Sequence, residues 1–145
     1  MEQSNKYYIP DISEFHVGFE YEWTDGYTGE WTKEVVDSTT DLRYFREDAD
    51  VEHRVKYLDR EDIESLGFIY IKHNNEYSSF QLLSDNTEDF YELEFYCEDY
   101  NNEIWIEKFE ANKNGTYNSY YIFKGVIKNK SELQKLLKML GIDGD

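Results

Sequence analysis

Residues 90–98 read Phe90-Tyr91-Glu92-Leu93-Glu94-Phe95-Tyr96-Cys97-Glu98. With Tyr91, Leu93, Phe95 and Cys97 facing a core, Glu92, Glu94, Tyr96 and Glu98 face outward. That two-residue period is the mark of a strand buried on one side. Polar turns bracket it at 84–89 and 99–102. Beyond them lie further runs rich in aromatic and branched residues, at 68–72, 77–83, 103–109 and 117–127, with turns at 73–75 and 112–115. Strands joined by short turns pair antiparallel, so this half of the chain reads as a meander.

Downstream, Asn129 caps a helix with Glu132 three residues on. Leu133, Leu136, Leu137 and Leu140 follow at i, i+3, i+4 and i+7, a single helical face. Lys135 and Lys138 suit its negative end, and Gly141 with Ile142 suits its closing motif. Upstream, residues 16–23 alternate, with Val17, Phe19, Tyr21 and Trp23 on one face and His16, Gly18, Glu20 and Glu22 on the other. Residues 24–29 form a turn, 31–36 return as a strand, 37–50 read as a loop and 54–58 as a strand. Asp59 caps a helix of about two turns that ends at Gly67 in the left-handed position. The reading is α+β: a curved antiparallel sheet meander, a short middle helix, and an amphipathic C-terminal helix packed on one face. With one proline and no linker or repeat, residues 1–145 are expected to be a single domain.

The chain carries 32 acidic against 15 basic residues, a net charge of −17, yet 18% of its residues are aromatic. Disordered chains are acidic but poor in aromatics, so a folded domain with an acidic surface is expected. Cys97 is the only cysteine, which excludes an intramolecular disulfide framework and a multi-cysteine zinc site. No apolar run approaches the ~20 residues that span a bilayer, and the first residues lack a signal peptide's apolar stretch. A soluble protein of a reducing cytoplasm, without membrane association, is the expectation.

The charge is uneven. Residues 111–145 have a net charge of +3, which leaves −20 on residues 1–110. Glu20, Glu22, Glu92, Glu94 and Glu98 fall at outward strand positions, and Asp99 and Glu103 extend the patch around the next turn. Tyr96 and Trp105 stand among these acids as interface anchors. Neighbouring strands lie about 4.8 Å apart, so adjacent acidic strands approach the charge density of a nucleic-acid backbone. Such a face would attract a basic groove built for phosphates. An acidic surface also serves solubility alone, but like charges alternating on a strand repel, a cost that solubility does not require.

Conventional catalytic signals are absent from the sequence. His16, His53 and His73 share no ligand spacing. Glu47, Asp48, Asp50 and Glu52 lack the glycine and distal glutamate of a calcium loop. No phosphate-binding loop or nucleophile elbow occurs. Carboxylate pairs carry no information in so acidic a chain. Neither catalytic residues, nor a metal site, nor a cofactor is expected, and the acidic field opposes direct binding of nucleic acid.

Two stretches, Tyr7-Tyr8-Ile9-Pro10-Asp11-Ile12-Ser13-Glu14-Phe15-His16-Val17-Gly18-Phe19-Glu20-Tyr21-Glu22 and Lys56-Tyr57-Leu58-Asp59-Arg60-Glu61-Asp62-Ile63-Glu64-Ser65-Leu66-Gly67-Phe68, resemble small acidic proteins of Bacteroidetes bacteria and their phages. The resemblance implies a phage or mobile-element origin and carries no functional residues with it. It makes the first expectation a phage-derived inhibitor of anti-CRISPR or anti-restriction type. Its acidic face would occupy the basic channel of a nuclease or CRISPR effector. The alternatives are an immunity-type or housekeeping protein-binding module, a small-ligand binder with an aromatic pocket, and a structural virion role.

Overall fold

Tyr7–Tyr8 (β1), Glu20–Thr24 (β2), Thr32–Val35 (β3) and Glu52–Lys56 (β4) form an antiparallel sheet in the order β1-β4-β2-β3. The computed structural model that shows this describes residues 6–25, 27, 29–40, 51–84, 88–96 and 102–142. Its contacts divide the chain into two compact units, residues 1–57 with 129–135 and residues 58–128 with 136–145.

In the first unit, Phe15, Phe19, Tyr21, Val36 and Val55 are the buried cluster, with Tyr8 and Trp23 packed against it. Aromatic rings meet edge to face there, Phe15–Phe19 at 5.1 Å and Phe15–Tyr21 at 5.3 Å. The expected strand over 16–23 starts late, at Glu20, and Val17 is 71% exposed rather than inward. The reason is local. Asp11 caps a 3-10 helix at Ile12–Glu14 through a reciprocal capping box. The Phe19 N–H then bonds back to the His16 carbonyl, with Gly18 in the left-handed region at φ 96°. That turn rotates Val17 away from the face that Phe19 and Tyr21 share. Asn129 and Ser131 also belong to this unit: the Glu20 N–H donates to Ser131 Oγ, and Asn129 Nδ2 donates to the Tyr8 hydroxyl.

In the second unit, Asp59 caps the helix Arg60–Ser65 (α1) by accepting from the Asp62 N–H at 2.9 Å, and Gly67 beyond it has φ 101°. Ile69–His73 (β5), Ser78–Leu83 (β6), Phe90–Tyr96 (β7), Glu103–Ala111 (β8) and Tyr117–Val126 (β9) follow as a five-stranded antiparallel meander in sequence order. Register places Phe80, Leu93 and Ile106 in one cross-strand row and Phe95 and Ile104 in the next. All five are buried, and Phe80, Leu93, Ile104 and Ile106 are fully so. The helix Lys130–Met139 (α2) is divided between the units, with buried Leu133 belonging to the first and buried Leu136 and Leu137 to the second. It ends as its sequence predicts: Gly141 N–H bonds to Lys138 O, and Ile142 N–H to Leu137 O. The fold is therefore α+β, with two antiparallel sheets, one of four and one of five strands, and one short and one C-terminal helix. Among the described residues, no helix is long and apolar enough to cross a membrane.

Candidate partner-binding face

The residues that alternate with the buried rows of the meander share its other face. One cross-strand row is Lys72, Ser79, Glu94, Trp105 and Lys124, and the next is Ile69, Gln81, Glu92, Glu107 and Tyr121. Tyr96 and Glu103 pair one step further along β7 and β8. Of the sequence-derived site residues, Glu92, Glu94, Tyr96, Glu103 and Trp105 are thus brought together. Glu98 and Asp99 lie outside the described residues.

Glu20 and Glu22 stand on β2, in the other sheet. Glu20 is exposed, as expected. Glu22 is not a free surface charge: Arg54 holds it at 2.7 Å, and the guanidinium is itself flanked by the Tyr7 ring at 3.7 Å and the Trp31 ring at 4.0 Å. Cross-strand pairing of Glu22 with Arg54 causes this, a partner that no local pattern reveals.

Glu94 needs a second correction. Expected outward and solvated, it is only 6% exposed. Its position does alternate away from Leu93 and Phe95, but the large side chains beside it cover it. Four rings follow one another along this face: Tyr77 to Tyr96 at 4.9 Å, Tyr96 to Trp105 at 5.1 Å, and Trp105 to Tyr121 at 5.4 Å. The Tyr96 hydroxyl donates to Glu94 Oε1 at 2.8 Å. Burial first, and then that bond, raise the Tyr96 pKa, so the phenol remains a neutral donor.

Beside the rings, one carboxylate oxygen from each of Glu92, Glu94 and Glu107 lies within 4.8 Å of the others. None of the three has an ion pair among the described residues. Burial, and next the Glu94 and Glu107 charges, raise the Glu92 pKa, with Lys72 acting against them. Burial and the same carboxylates raise the Tyr121 hydroxyl. At the rim, Lys124 Nζ sits 4.3 Å from the Trp105 ring centre and 4.6 Å from that of Tyr121. Trp105 Nε1 is buried and finds no hydrogen-bond partner among the described residues.

Chemically, this arrangement is a concentration of negative charge against flat aromatic surface, which attracts a cation in two ways at once. Glu92, Glu94 and Glu107 are the residues that would offer oxygens to a metal ion. Sequence reasoning missed Glu107, Tyr77, Tyr121 and Lys124. The only signal for them was strand register, which a bulge between Ile106 and Glu107 shifts against β9. Comparison with protein-family models, with curated proteins and with solved structures found no match to this chain.

Proposed function

We propose that the protein is a non-catalytic inhibitor of a nucleic-acid-handling defence enzyme, which it binds stoichiometrically through the ring-and-carboxylate face of the five-stranded sheet. The observation that carries this reading is the triple of Glu92, Glu94 and Glu107, within 4.8 Å of one another beside Tyr96 and Trp105. Like charges opposed across a sheet are destabilising, and a basic group on a partner would relieve them. The phage or mobile-element origin that the resemblance implies, with action in the host cytoplasm, makes a nuclease or CRISPR effector the target class.

The geometry favours capture of discrete basic side chains over imitation of a phosphate backbone. A backbone mimic presents evenly spaced, exposed charges. Here the carboxylates are gathered at the middle of two cross-strand rows, one of them buried, and Lys72 and Lys124 close the ends of one row.

The test is inhibition of the captured enzyme. A basic nucleic-acid enzyme retained from host lysate at low salt and released at raised salt should be inhibited at one-to-one stoichiometry. The Glu103→Lys/Glu107→Lys protein should bind it at least about tenfold more weakly, chiefly through a slower on-rate. Unchanged affinity of that folded variant at physiological salt refutes the proposal.

A further inference from the structure

We infer that the group this face takes from its partner is an arginine guanidinium, an inference that rests on the protein-binding reading above. The rings already show what they attract. Lys124, on the edge strand β9, lays its ammonium against both Trp105 and Tyr121. Its row is Glu94, Trp105 and Lys124, and the neighbouring row supplies Glu92 and Glu107. A cation is therefore seated at the aromatic end of the face, while the carboxylates beside it hold no ion pair among the described residues.

Guanidinium matches the vacant part of this arrangement better than ammonium or a divalent ion. It is planar, so it can stack on an indole or phenol face while its edge donors reach carboxylates in the same plane. An ammonium does one or the other with less directional gain. A calcium ion requires six to eight oxygen ligands, and here one Glu94 oxygen already accepts from the Tyr96 hydroxyl. The same chain builds such a seat for an arginine of its own. Arg54 lies between the Tyr7 and Trp31 rings at 3.7 and 4.0 Å, with Glu22 at 2.7 Å. The second face brings the same kinds of group together, Trp105 and Tyr121 with Glu92, Glu94 and Glu107, but there the two rings meet edge to face and the cation lying on them is Lys124. Lys124 acts as the placeholder that an incoming arginine displaces.

The experiment is a titration of the full-length protein followed by the indole N–H resonances. Trp105 is the reporter, and Trp23 and Trp31 are internal controls. N-acetyl-arginine amide should shift the Trp105 resonance saturably with a Kd of about 1–10 mM, the range of a single small contact. N-acetyl-lysine amide should bind at least about fivefold more weakly. Lys124→Ala should tighten arginine binding about threefold, and Glu107→Gln should weaken it about fivefold. An absent Trp105 response, equal responses to arginine and lysine, or a tighter response to calcium chloride each overturns the inference. Loss of partner binding in Glu103→Lys/Glu107→Lys without any arginine response in the wild type overturns this inference alone. An arginine response with partner binding unchanged in that variant overturns the protein-binding reading instead.

Discussion

Replacing Glu92 by Gln should make the protein more stable at neutral pH, and the gain should shrink in mild acid. Glu92 lies directly opposite Glu107, and its carboxylate lies within 4.8 Å of those of Glu94 and Glu107. Two unit charges at that separation repel by about 1 kcal/mol in bulk water and about 3.5 kcal/mol at the effective dielectric near a protein surface. Glu92 is half-buried and Lys72 offsets part of the repulsion. Mutated cross-strand charge pairs also give less than the bare Coulomb figure, so a gain of about 1–2 kcal/mol is expected at pH 7.5. Burial and the two neighbouring carboxylates raise the folded-state pKa of Glu92 above its ordinary 4.5. Above the folded value, folded and unfolded chains both carry the charge, and the full penalty is present. As pH falls through the folded value, the folded chain takes up a proton that the unfolded chain does not. The penalty then fades, and it is gone below the unfolded value. Urea melts followed by tryptophan fluorescence read the difference between variant and wild type, in which the other acids largely cancel. The midpoint should rise by about 0.5–1 M at pH 7.5. The gain should be smaller at about pH 5 than at pH 7.5, because the raised carboxyl of folded Glu92 takes up its proton first. An unchanged or lower midpoint at pH 7.5, or the same gain at both pH values, refutes like-charge repulsion as the governing force.

Asn129→Ala should lower stability by about 2 kcal/mol in the same urea assay, because one buried side chain serves two ends. Its Oδ1 accepts from the Glu132 N–H at 2.9 Å, and its Nδ2 donates to the Tyr8 hydroxyl at 2.7 Å. A loss below about 0.5 kcal/mol would contradict both roles. Arg54→Lys keeps the charge but not the planar fork between Tyr7 and Trp31, and should cost about 1 kcal/mol and shift the Trp31 indole resonance. A neutral substitution with Trp31 unmoved would show that the stacking contributes nothing.

Local periodicity made most of the elements legible. The caps at Asp59 and Asn129, the stops at Gly67 and Gly141, and the alternation at Leu93 and Phe95 are all properties of a few adjacent residues, and each is found where the sequence places it. What depends on pairing was not legible. Glu22 reads as a surface acid until β4 sets Arg54 opposite it. Glu107 reads as one acid among 32 until register sets it against Glu92. Glu94 obeys its alternation but loses solvent to neighbouring rings, which a period of two cannot express. Val17 fails for the opposite reason: a left-handed glycine breaks an alternation that runs through it on paper.

The placement of charge argues that the face of the meander matters more than its edges. Pairing slips between Tyr70 and Lys72 where β5 meets β6, and between Ile106 and Glu107 where β8 meets β9. Both ladders to the edge strands are therefore irregular, and irregular edges disfavour addition of another chain's strand. On the face, in contrast, three carboxylates crowd within 4.8 Å at the sheet's centre, where cross-strand repulsion works against folding. Solubility would be served equally by acids on turns, such as Asp25 and Asp37, which are exposed. A sheet that blunts its edges and tolerates repulsion on one face is better adapted to receiving a basic group on that face than to pairing along its rim. Relief of that repulsion by a bound cation is then a source of affinity already built into the free protein, which is why the stabilising Glu92→Gln change should also weaken binding.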